Sequence, residues 1–237
     1  VNFNRQGPEK GFEQMKKAYK WRKSFGVNHF DQLVIPKELY QMGAMFSYPA
    51  DKEGNLMLYI RGKMHRKIEF VYDRMKQYVV YQMNKLDLKQ ARERSWCVVV
   101  DATGTGYDNA DLHMLLFFLE ALRKYFPMGI KYYIIYGMPW LLNAFATLIM
   151  SMMPGFAKEK IKFWGPKELL EQVDESALPD FLGGTCKECY RRVPKGAMDV
   201  YYISKRDFDL DTNEVDKLLE PSLKHIDTEN WVEVENV

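Results

Sequence analysis

From Tyr132 to Ala157 the chain carries no charged residue, and this stretch constrains the fold more than any other. Its length would suit a membrane span, which needs about 20 predominantly apolar residues. Gly137 and Pro139 divide it, however, into a β-rich run, Tyr132–Tyr136, and a helical piece from Pro139 to Met153 that is too short to span. The helical piece is apolar nearly all round, with Trp140, Leu141, Leu142, Phe145, Leu148, Ile149, Met150, Met152 and Met153 relieved only by Asn143, Thr147 and Ser151 at a spacing of four. Two apolar faces need two apolar partners. One reading is a core helix sandwiched between a sheet and its neighbours. The other is a lid whose inner face covers a hydrophobic ligand and whose outer face meets a bilayer, with methionines supplying adaptable packing. Pro139 and Pro154-Gly155 mark where such a lid would hinge.

The segments around this stretch predict an α/β domain. Trp96–Val100 is a continuous apolar run of the kind a strand covered on both faces shows, and Ile161–Trp164 is a third such run. Between the strands lie helical patterns: one carries Leu112, Met114 to Leu119 and Leu122, capped by Asp108 or Asn109, and the other is the Pro139–Met153 piece. Alternation of strand and helix implies a mostly parallel sheet. Upstream, Gly43–Tyr48 and Leu56–Ile60 flank Asp51-Lys52-Glu53-Gly54-Asn55 and predict a hairpin. Arg66–Lys85 repeats apolar residues at three and four, predicting an amphipathic helix, as does Pro8–Phe25, where Phe12, Met15, Tyr19 and Trp21 or Arg22 share helical spacing before Gly26. Pro166–Val173 gives a further short helix. Beyond Gly184 the pattern weakens, and only Val200–Ile203 reads as a strand.

Charge is uneven along the chain. Residues 207–237 hold ten acids against Lys217 and Lys224, so the remainder stands at about +10 although the whole is +2. A basic body suits an anionic membrane surface. Nucleic acid is disfavoured, because no basic run is interleaved with aromatics. Val1 is not a start methionine and no signal pattern precedes the first charged helix, so the sequence reads as a piece of a longer protein. Three cysteines make no disulfide framework, and a reducing cytosolic environment is expected.

Signals for chemistry are weak. Gly104-x-Gly106 has Asn109 where a dinucleotide loop needs its third glycine, and no phosphate loop occurs. Cys186 and Cys189 form half of a zinc pattern without a second pair. His29, His65, His113 and His225 are scattered, and no nucleophile elbow is present. Asp101, at the end of a central strand, would serve as a catalytic acid or as the cap of the next turn. No catalytic residue, metal ligand or cofactor is expected.

Several of these segments together resemble the CRAL-TRIO family of lipid-binding domains, from about Phe12 to Thr185. They are Trp21-Arg22-Lys23, the Asp51–Asn55 turn, Asp101–Gly106, Tyr125-Phe126-Pro127, Ile134-Ile135, Met138-Pro139-Trp140, and Leu178-Pro179 followed by Phe181-Leu182-Gly183-Gly184, in the family's order. The resemblance implies the end of an N-terminal helical region over 1–30, a lipid-binding domain over 31–185 and an acidic extension or linker over 186–237. It also implies a sheet floor beneath a lipid cavity closed by the mobile helix Trp140–Met153. Residues 138–144 and the Thr-Gly-Thr-Gly turn further resemble a member whose parent chain is tethered to the endoplasmic reticulum. Family members that bind phosphatidylinositol use an acid after the Tyr-Pro landmark and a lysine at the end of the gate. Here those positions hold Met128 and Lys160. A thioether is a poor partner for inositol hydroxyls, which argues for a different or more apolar guest. The lipid-lining set implied by the resemblance is Trp96, Val98, Val100, Phe117, Phe118, Tyr133, Ile135, Trp140, Phe145, Leu148, Ile149, Met152, Phe156, Lys160 and Phe163.

Overall fold

The computed structural model describes residues 7–27, 31–89, 95–126, 130–153 and 155–235, with the side chain of Phe156 outside that set. Pro127, Met128, His29 and Pro154 also lie outside the described residues.

A five-stranded sheet organises the molecule. β1 (Met45–Tyr48) pairs antiparallel with β2 (Leu56–Arg61), and β2, β3 (Trp96–Asp101), β4 (Ile130–Tyr136) and β5 (Ile161–Trp164) follow in that order, all parallel. The hairpin is held by its turn. The buried carboxylate of Asp51 accepts from the main-chain N–H groups of Glu53 and Asn55, from the Asn55 side chain and, at 3.0 Å, from Gln172 Nε2. Cys97, Val99 and Ile134 are buried to completion because β3 and β4 are covered on both faces, as their continuous apolar sequences require.

On one face lie α3 (Tyr72–Lys89) and α4 (Leu112–Glu120), with Tyr78, Val80, Met83, Leu86 and Phe118 packed against Leu58, Trp96 and Val98. On the other, α7 (Pro166–Gln172) and the turns through Leu182 bury Leu169, Val173 and Leu178 against Met57, Cys97 and Val99. α4 is capped by Asp111, not by Asp108 or Asn109: its Oδ1 accepts from Met114 N at 3.0 Å. The Asn109 side chain is engaged elsewhere, accepting from Gly106 N and donating to the carbonyls of Lys63 and His65. α4 runs into a π-helical turn, Ala121–Tyr125.

α1 (Pro8–Phe25) ends at Gly26, whose φ of 79° is the left-handed stop a glycine supplies. Its buried face differs from the one that spacing suggested. Gly11 and Ala18 are buried and Trp21 stacks on Tyr125 with centroids 4.0 Å apart, whereas Phe12, Met15 and Tyr19 are exposed. Small residues let the helix approach the π turn closely, and the large ones are left outside.

The C-terminal segment is ordered and docks on the body instead of forming a linker. Val200–Ile203 is not a strand: it opens α8 (Val200–Phe208), because Asp199 caps it and Val200, Ile203 and Ser204 fall on one helical face. α9 (Thr212–Leu223) follows, and Val200, Val215 and Leu219 form a small core with Val71. β6 (Arg192–Pro194) and β7 (Val232–Val234) pair parallel in a separate two-stranded sheet. No helix among the described residues is long and apolar enough to cross a membrane.

Candidate functional site

The carboxyl-terminal end of the sheet is where a cavity opens. In one cross-strand row, Ile60, Val100, Ile135 and Phe163 stand side by side on the same face, and with Tyr133 and Ile161 they form the floor of a cavity of about 310 Å³. That size suits a small-molecule site. Further down the same face the space is filled: Trp96 and Val98 are fully buried, and the Trp96 ring lies 6.4 Å from that of Phe126. The cavity therefore lies over one face of the sheet, above the carboxyl-terminal half of β3 and β4 and along β5.

Its roof is the charge-free stretch. After Pro139 the chain makes a single 3₁₀ turn, Trp140–Leu142, and enters α5 (Asn143–Met152), with the single turn α6 (Gly155–Lys158) leading on to β5. Leu142, Phe145, Ala146, Ile149, Met150 and Met153 face the cavity. The opposite face carries Trp140 at 82%, Leu148 at 47% and Met152 at 53% exposure. Asn143, Thr147 and Ser151 are exposed as well. Thr147 and Ser151 turn their hydroxyls back onto the carbonyls of Asn143 and Leu148, which hides two polar groups from a hydrocarbon surround.

The walls are carbon-rich. Eight of the 14 methionines line the cavity, among them Met42, Met64, Met75 and Met114 from α2 (Lys37–Met42), the turn after β2, α3 and α4. A polar cluster at His65 and Asp111 interrupts them. His65 Nε2 lies 3.0 Å from Asp111 Oδ2, and Tyr72 donates its hydroxyl to the same oxygen at 2.8 Å. Burial pushes the Asp111 carboxyl up, but the hydrogen bonds from Met114 N, Tyr72 and His65 more than offset this and hold it below the usual value. Burial also lowers the His65 imidazole pKa, against the pull of Asp111. The hydroxyl of Tyr133, likewise desolvated, is pushed up to about 12.

A profile for the CRAL/TRIO domain matches residues 40–184. The chain belongs to the CRAL/TRIO family. This family binds lipids. The chain is 26% identical over 208 residues to Sec14 cytosolic factor of Schizosaccharomyces pombe, covering 76% of this chain and 70% of that one. A CRAL-TRIO domain-containing protein of the same yeast is 24% identical over 165 residues, 65% of this chain and 37% of its own length. The crystal structure of Sfh5 superposes with a TM-score of 0.56 at 16% identity, covering 74% of this chain and 68% of that one, which is a likeness of fold.

The CRAL/TRIO cavity gathers Val100, Phe118, Tyr133, Ile135, Phe145, Ile149 and Phe163 from the set expected in the sequence. Trp96 and Val98 are core residues beneath helices, and Phe117 packs on Phe25 of α1. Trp140, Leu148 and Met152 lie on the outside of α5. The side chain of Phe156 is outside the described residues. Lys160 does not line the cavity: its Nζ donates to the carbonyl of Ile130, at the far end of β4. Asp101 lies on the opposite face and caps a turn, accepting from Thr103 N at 2.9 Å. Among the described residues no group of three His, Cys, Asp or Glu side chains is placed to hold a metal. Sequence reasoning missed His65 and Asp111, which no motif marks, and the scattered methionines, for which only their abundance was a signal.

Proposed function

We propose that this chain holds one hydrophobic lipid guest in the cavity beneath α5 and exchanges it with an anionic membrane surface when that helix opens. The observation that carries this reading is the two-sidedness of α5. Its inner face lines a carbon-walled cavity, while its outer face presents Leu148 and Met152, and Trp140 stands exposed in the turn that leads into it. A helix with no charge on either side is suited to leave one apolar surround for another. The basic balance of the chain ahead of residue 207 supports an anionic surface as the docking partner. The family to which the chain belongs, and the name of the fission-yeast relative, support a role at the cytosolic side of membranes. The resemblance of residues 138–144 to the cytosolic domain of motile sperm domain-containing protein 2 supports a parent protein tethered to the endoplasmic reticulum.

The deciding experiment extracts the purified protein with organic solvent and measures lipid by mass spectrometry, alongside transfer of labelled lipid between liposomes. Stoichiometric lipid with transfer is the expected result. Lipid without transfer would reduce the role to binding. Liposome docking with no bound lipid and no transfer would replace it by a docking or scaffold role that retains only the fold.

A further inference from the structure

Within a cavity walled by carbon, the pair His65 and Asp111 is a built polar site, and it carries information about the guest. Four polar side chains of the wall, Asp111, Thr105, Asn109 and Tyr78, have internal partners. Asp111 accepts from Met114 N, Tyr72 and His65. The Thr105 hydroxyl donates to Ala102 O at 2.6 Å, and both ends of the Asn109 amide are engaged. Tyr78 donates to Met45 O. Arg61 holds its guanidinium on the other side of the sheet, 4.0 Å above the Phe181 ring. His65 Nδ1 makes no hydrogen bond among the described residues, and His65 lies on the cavity wall.

The partner of Nε2 fixes the state of the ring. A carboxylate can only accept, so Nε2 carries the proton and Nδ1 of the neutral ring presents a lone pair. Burial, which disfavours the imidazolium, keeps the ring in that form near neutral pH. A lone pair backed by a carboxylate attracts a donor and repels an anion. The Tyr133 hydroxyl, also on the wall, makes no hydrogen bond among the described residues and is held protonated by its burial.

We propose that His65 anchors the guest by accepting a hydrogen bond from an uncharged hydroxyl, so that the cavity takes a neutral hydroxyl-bearing lipid such as a sterol, a long-chain alcohol or a diacylglycerol, in preference to an anionic lipid. The inference rests on the lipid-binding reading above and adds the chemistry of the guest's polar end. Asp111 and Tyr72 act as positioning residues, holding the ring in its tautomer and orientation.

Three probes of one shape test it: a pyrene-labelled long-chain alcohol, its methyl ether and the matching carboxylate, titrated into the whole chain by fluorescence. The expected order is the alcohol about 10-fold tighter than the ether, as one net hydrogen bond gives, with the carboxylate weakest. His65→Phe should bring alcohol and ether to equal affinity, and His65→Gln, which keeps an acceptor, should restore part of the preference. Should a variant fail to fold, the ranking on the unaltered protein decides alone. Equal binding of alcohol and ether, or tightest binding of the carboxylate, overturns the anchor while leaving lipid binding intact. Failure of all three probes together with absence of extractable lipid overturns both.

Discussion

Arg61 and Asp101 stand opposite each other in register at the carboxyl ends of β2 and β3, both buried, on the face of the sheet away from the cavity. Arg61 reaches Tyr190 OH at 3.3 Å and packs on Phe181, and no salt bridge compensates it among the described residues. Its pKa is lowered by burial, with Tyr190 and Asp101 among the groups that oppose the shift. Asp101→Asn should therefore cost about 2 to 3 kcal/mol of stability, because it leaves a buried cation with less compensation. Arg61→Met, which keeps apolar bulk over Phe181, should cost less. Chemical denaturation measures both. Neither change should alter the lipid recovered from the protein, and lipid loss at unchanged stability would show that the two faces are coupled.

Filling the cavity should separate binding from folding. Ala146 faces the cavity from α5, so Ala146→Trp places a large ring where the guest would sit. A cavity that can accept the ring loses little or no stability, in contrast to overpacking a closed core, which costs about 1 to 3 kcal/mol. The expected outcome is loss of extractable lipid with a melting temperature at or above that of the parent. A fall of the size seen for a packed core would mean that the space is not available to a guest.

The exposed side of α5 should govern membrane contact. Leu148→Asp combined with Met152→Asp leaves the cavity wall untouched, since both side chains point outward. Liposome co-sedimentation should fall at least tenfold, and lipid already bound should remain. Ile149→Asp is the contrasting change. That side chain is buried against the cavity, and an unpaired charge there should destabilise the fold itself.

Much of this was legible in the residues. The hairpin, the central strands and the break of the charge-free stretch at Gly137 and Pro139 follow from local pattern, because burial on both faces leaves unbroken apolar runs at 96–100 and 132–136. What the pattern could not supply is position along a strand. Trp96, Val98 and Val100 share one face of β3, yet only Val100 reaches the cavity, since Phe126 and α4 fill the space above the other two. Nor could it tell that Val200–Ile203 would be helical: β-branched and aromatic residues favoured a strand, and the Asp199 cap with tertiary burial of Val200 and Ile203 overrode that preference. In α1 the choice between Gly11 with Ala18 and Phe12 with Tyr19 as the docking face depended on the close approach of the π turn.

Acid should weaken the fold through the same histidine that lines the cavity. His65 has its pKa lowered from 6.5, first by burial and then by the nearby Arg66 charge, with Asp111 opposing. The unfolded chain thus takes up this proton first as pH falls. Stability is intact above about 6.5, declines as pH drops through that value, and stops declining once the folded-state pKa is passed. His225 is lowered as well, by burial and by Lys224, Arg66, Lys63 and Arg61, and adds to the same window. Asp111 does not, because a carboxyl held below its ordinary 3.8 loses its contribution only at more acidic pH. Thermal melts between pH of about 7 and 5 should therefore show a shallower loss in His65→Gln than in the parent, and shallower still when His225→Gln is added. A parent and His65→Gln with the same slope would show that the ring is already solvated in the folded state. Its lone pair would then be turned to water instead of to a guest.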